Sequence, residues 1–246
     1  MIAESRLPPL FRLTALPGDA DIAAEARRMA EAGAEPGTVV CVERADEFRC
    51  AVILHPDRGA AEARLALYVG VLGLGDALGA TTPPGIDVTF LWPNRLEANG
   101  GALAEIHLFE PEAGDAETVP SWLILYATVA IELGDHDWRS GVFPETSLRE
   151  EGCAEVSVTD LLESFTRHLL TWINRWRDDG FDPVRAMWLR HSRSHGSDVA
   201  VDADGTRYFG TFKGIDDDGA MVLEETGFTR RIKPRAALEV GSGPPS

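Results

Sequence analysis

The sequence predicts an α/β (α+β) protein built on a mixed sheet, followed by a small β-barrel. Three observations carry this. Up to about residue 190, apolar residues recur in both the helical and the strand period. At "HSRSHGS", residues 191–197, the composition turns polar, and beyond it only short strands and Gly turns follow. The length, 246 residues, can bury one large core or one large and one small. The expected boundaries are 1–190 for the first domain, 194–240 for the barrel and 241–246 ("GSGPPS") for a disordered tail.

Each element follows from local chemistry. Residues 20–32, "ADIAAEARRMAEA", suit a helix closed by Gly33. "GTVVCVERADEFRCAVILHP" gives two strands around a charged turn at 44–48. "AAEARLALYVGVLGLGDALGA" is apolar nearly all round and reads as a buried helix despite its glycines. "TTPPG" breaks the chain before the strand "DVTFLW". The next segment, "WPNRLEANGGALAEIHL" (92–108), is a Trp-Pro-Asn turn, a short strand, an Asn99-Gly100 turn and a second strand. The polar "PEAGDAETVP" leads to "SWLILYATVAIEL", a core strand, and then to an irregular stretch, "GDHDWRSGVFPETSLREEGC". Val158, Leu161, Leu162, Phe165, Leu169, Trp172, Ile173 and Trp176 then form one helical apolar face, capped by Ser157 or Thr159 and ended by Gly180. Asp182-Pro183 opens a shorter helix. Beyond 197, four or five short strands around turns at 204–205, 216–219 and 227 suggest the barrel.

Composition excludes several function classes. A net charge of −17 argues against nucleic acid and against an anionic membrane surface, and is expected to serve solubility. Cys41, Cys50 and Cys153 are too scattered for a disulfide framework or a zinc site. Together with an N-terminus that lacks the pattern of a signal peptide, they fit a reducing cytoplasm. The apolar run "WLILYATVAI" is too short to span a membrane. "GIDDDG" lacks the alternating ligands of a calcium loop, and His191 and His195 have no acidic or Cys partner in spacing, so no metal is expected. Of 23 basic residues only Lys213 and Lys233 are lysines.

The order strand, Trp-Pro-Asn, short strand, Asn-Gly turn, strand resembles the catalytic domain of biotin–protein and lipoate–protein ligases. "WINRWRDDGFDPVRAMWLRHS" is similar to the helix pair that closes that domain. "GTFKGIDDDGAMVLEE" is similar to the small SH3-like barrel that follows it in biotin–protein ligases. The resemblance spans about residues 35 to 238. It implies adenylation: a carboxylate attacks the α-phosphate of ATP, pyrophosphate leaves, and a lysine of another protein takes the acyl group.

This sequence departs from the pattern that the resemblance implies. Ala102 stands where a lysine is expected, Glu105 where a glycine leaves room for ligand, and Arg95 where an aspartate usually follows Trp-Pro-Asn. The Gly-Arg-rich loop expected between the two early strands is absent, and so is the Ser-Thr-Asn motif near the first helix. Losing one preorganised charge at a transition state costs about 3–4 kcal/mol, or two to three decades in rate. Losing several leaves little turnover, even though such losses do not simply add. Lys213, in the barrel, is a poor substitute.

The reading is therefore a ligase-like protein without ATP-dependent ligation, which acts by binding a small or acyl ligand or a protein partner. Its candidate ligand contacts are Trp92, Asn94, Arg95, Asn99, Gly101, Glu105 and Arg44, the last in the turn where the Gly-Arg loop is expected. No resident cofactor is expected. ATP with biotin or lipoate belongs to the alternative, an active ligase with an altered residue set. A structural interaction protein is the third reading, and an oligomer is compatible with all three. Glu105 is expected to narrow the pocket and repel a ligand carboxylate. If Arg95 pairs with Glu105, the pair fills the pocket; if they point apart, Arg95 can receive an anion.

Overall fold

The computed structural model describes residues 2–111, 115–133 and 145–234. The expected tail at 241–246 and parts of the two polar stretches lie outside these residues.

Strand β1 (Arg12–Leu16) runs parallel to β2 (Thr38–Val42), and α1 (Ile22–Glu31) makes the crossover between them. Asp21 caps α1 by accepting from the Ala24 amide at 3.0 Å. Ile22, Ala26 and Ala30, four apart, are its buried face. Every other pairing in the large sheet is antiparallel: β3 (Glu47–Leu54), β7 (Leu123–Ala130), β6 (Gly101–Phe109), β5 (Arg95–Ala98) and β4 (Val88–Leu91). The seven strands lie in the order β1-β2-β3-β7-β6-β5-β4. The sheet is thus mixed, as the sequence predicts, with β1 as an edge strand that the periodicity did not reveal.

The expected buried helix is broken at Arg64–Leu65 into α2 (Ala60–Ala63) and α3 (Ala66–Thr81). Its glycines let α3 be buried on several sides. A Cβ at Gly70 would meet Ile106 and Leu125 at 3.1 Å, one at Gly73 would meet the Leu169 backbone at 3.0 Å, and one at Gly75 would meet Phe90 at 2.5 Å. Leu169 belongs to α4 (Val158–Asp179), which packs along α3 and begins with a capping box of Ser157 and Asp160. Trp172 Nε1 of α4 donates to Asp76 of α3 at 2.7 Å. The stretch 60–81 is long and apolar enough to cross a membrane by length and composition, but most of it is buried inside the molecule as a core helix.

After Gly180, α5 (Asp182–His191) leads to a second sheet of four antiparallel strands. These are β8 (Asp198–Ala203), β9 (Thr206–Ile215), β10 (Met221–Glu225) and β11 (Phe228–Ile232), each hydrogen-bonded to the next. The polar stretch before β8 is pinned, since Gly196 N and Phe212 N donate to Phe212 O and Ser197 O. His191 stacks on Phe90 and His195 meets Phe212 edge-on. Trp188 of α5, fully buried, touches Tyr68 of α3, Phe90 of β4 and Phe212 of β9. One buried apolar cluster therefore runs from α3 into the small sheet.

Candidate functional site

Strand alternation gives the large sheet two chemically different faces. Ala104 and Ile106 of β6 join the apolar cluster of α3 and α4. Glu105 and His107 point the other way, onto the face that α1 covers at one end. On that face the register aligns Arg49, Thr128, Glu105 and Arg95 on β3, β7, β6 and β5, each directly opposite the next. The next row is Ala51, Tyr126 and His107, and the one after it Ile53, Ile124 and Phe109. The face thus grades from a polar row to an aromatic and aliphatic floor, where Arg27 of α1 lies 5.7 Å over the Phe109 ring.

Glu105 is 6 % exposed. Its Oε1 accepts from Arg95 Nε at 3.1 Å and its Oε2 lies 2.9 Å from His107 Nε2. A buried carboxylate needs such partners. The expected Arg95–Glu105 pair is present, but through Nε alone. Among the described residues the two Nη atoms of Arg95 have no hydrogen-bond partner, and its side chain is 45 % exposed. Pairing and anion reception, alternatives on sequence grounds, are both available to the same guanidinium.

A second buried carboxylate follows two residues along β5. Glu97 is 4 % exposed, and burial raises its pKa above the usual carboxylate range against the opposing pull of Arg193. Thr89 Oγ1 donates to it at 3.4 Å. Arg193, from the turn after α5, reaches it with Nη2 at 3.2 and 3.1 Å from the two carboxylate oxygens. Arg193 crosses the tip of the hairpin so closely that a Cβ on Gly100 would lie 2.9 Å from Nη1. At the far end of the face Glu47, 1 % exposed, ion-pairs with Arg49, and burial raises the Glu47 pKa.

The other sequence candidates have partners within the fold. Trp92 Nε1 donates to Tyr68 Oη at 2.8 Å, and that hydroxyl donates to the Gly219 carbonyl in the β9–β10 turn. Burial pushes the Tyr68 phenol up, which keeps it a donor. Asn94 is buried, with Nδ2 on Ile106 O at 2.9 Å and its own carbonyl accepting from Ile106 N. Asn99, at φ 49°, accepts from Asp87 N and donates to Glu151 at 2.6 Å. A Cβ on Gly101 would press Thr146 at 3.1 Å. Ala102 stands opposite Glu97, and its carbonyl accepts from Glu145 N and Thr146 N. Arg44 is held in a two-point pair with Asp46. Lys213 is paired with Glu224 at 2.9 Å within the small sheet. Among the described residues no three His, Cys, Asp or Glu side chains gather as a metal site.

Of the eight sequence positions, Arg95 and Glu105 therefore meet on the face turned away from α3 and α4, and Ala102 borders it. Glu97, His107, Arg49, Thr128 and Arg193 were missed. The polar residues two apart in "EFRC" and "EIHL" were a usable signal for two of them, Arg49 and His107; Glu97, Thr128 and Arg193 carried none.

Residues 7–190 match the model of the biotin/lipoate A/B protein ligase family. A biotin–[acetyl-CoA-carboxylase] ligase of Paracoccus denitrificans is 28 % identical over 198 residues, which are 80 % of this chain and 81 % of that protein. The crystal structure of a biotin protein ligase-like protein of unknown function from Silicibacter sp. TM1040 superposes with a TM-score of 0.84 at 32 % identity, covering 95 % of this chain and 98 % of that one. The biotin protein ligase of Aquifex aeolicus in complex with biotin and ATP shares the fold, with a TM-score of 0.70 at 14 % identity over 92 % and 97 % of the two chains.

Proposed function

Since this chain belongs to the biotin/lipoate A/B protein ligase family, we propose that it binds a small carboxylic acid at Arg95, on the face of its large sheet turned away from α3 and α4, and does not adenylate it. The observation that carries this is Arg95, anchored by buried Glu105 through Nε while its terminal fork faces outward. A guanidinium fork matches a planar carboxylate in two parallel hydrogen bonds. His107, Phe109 and Tyr126 offer an apolar floor beside it.

Adenylation asks for more. Charge develops on the α-phosphate and on departing pyrophosphate, and fixed cations must meet it. Ala102 brings no charge, Arg44 is committed to Asp46, and Lys213 to Glu224. Glu105 fills room beside the strand, so a slim acyl chain such as lipoate or octanoate fits better than the bicyclic head of biotin.

Native mass spectrometry of the purified protein with lipoate, octanoate and biotin tests the reading. A one-to-one complex that is lost in Arg95→Gln is expected. Absence of any such complex would leave the interaction-protein reading in its place.

A further inference from the structure

We propose that Arg193 is a second ligand contact, which brings to the hairpin from outside the sheet the cation that Ala102 does not provide. This rests on the acid-binding reading above and adds to it a residue and a charge preference.

The two arginines are held alike. Arg95 contacts a buried carboxylate, Glu105, with Nε; Arg193 contacts a buried carboxylate, Glu97, with Nη2. Among the described residues neither guanidinium has another hydrogen-bond acceptor. Both are near half exposed, at 45 % and 57 % of their side chains. Arg95 and Glu97 lie on the same face of β5, two residues apart, or about 7 Å. Glu97 faces Ala102 across the β5–β6 ladder, so its partner guanidinium lies beside the position of the missing lysine.

The charge count selects the ligand. Two guanidinium charges against two buried carboxylates leave the cluster neutral. A monoanionic carboxylate leaves it at one negative charge, whereas a triphosphate would load it heavily in a chain already at −17. Repulsion between like charges grows with each charge added at close range, so one excess negative charge is opposed far less than several. The site therefore takes an organic monocarboxylate and rejects nucleotide phosphates.

The bland account is that Arg193 does nothing except neutralise Glu97. Isothermal titration of the full chain with lipoate, octanoate and biotin separates the two. Arg193→Gln is expected to weaken the tightest of the three at least tenfold. Glu97→Gln/Arg193→Gln removes the anchor charge as well, and is expected to stay equally weak while its thermal midpoint matches wild type. Wild-type affinity in the double variant would overturn the role of Arg193, and if Arg95→Gln still abolished binding, the acid-binding reading would stand without it. No binding of any of the three acids to wild type would sink both. ATP is expected to give no binding heat, and ATP affinity in the range of the acids would overturn the charge preference.

Discussion

Glu97 and Glu105 are buried glutamates on neighbouring strands, and each is matched by an arginine that stays about half exposed. Burial raises the Glu97 pKa, so the folded state holds that proton to higher pH than the unfolded chain, where glutamate titrates near about 4.3. The resulting stability is present below that value and is lost as pH rises through the raised one. Glu97→Gln removes the dependence. The variant is expected to equal or exceed wild type in thermal midpoint at pH 7, within about 1 kcal/mol, because its freed partner is solvated. It should lose this advantage below pH 4.5; parallel melting curves across pH check this. The Arg95–Glu105 pair was legible in the sequence because the two residues flank one tight turn. Arg193 was not, because 96 positions separate it from Glu97 and only the tertiary fold brings them together. Asn94 and Asn99 read as ligand contacts, yet they are held by backbone and Glu151 partners, because a turn's own polar groups must be satisfied first.

At the scale of the element, α3 shows why a glycine-rich stretch forms a central helix. Gly73 permits close approach to the α4 backbone, while Gly79 has nothing within 4 Å of an added Cβ. Gly73→Ala is expected to destabilise by about 1–3 kcal/mol through overpacking, and Gly79→Ala to stabilise by up to about 1 kcal/mol through helix propensity. Urea denaturation of both variants measures the contrast, and equal effects would contradict the packing account. Tyr68→Phe removes the acceptor of Trp92 and the donor to Gly219. It should cost about 1–3 kcal/mol and shift Trp fluorescence by changing the polarity around the indole. Periodicity found α1, α4 and the hairpin because each keeps one face on the core. It missed β1, five residues on the sheet edge between proline-containing turns, where little burial enforces a pattern.

For the whole molecule, the small sheet is tied to the large domain through Trp188, and its β9–β10 turn through Tyr68 to Trp92. Trp188→Ala is expected to cost about 3–5 kcal/mol and to loosen the small sheet, which hydrogen exchange of β9 would report. The ligase fold persists here around a face whose charges are mutually paired, without a lysine before Lys213. Under the proposed reading, a lysine restored at Ala102 is not expected to bring ligation, since it would face Glu97 and pair with it. ATP–pyrophosphate exchange with lipoate and with biotin, run on wild type and on Ala102→Lys, tests this most directly. Exchange at background in both proteins is the expected result; robust exchange in wild type that is lost in Arg95→Gln would show an active ligase with an altered residue set.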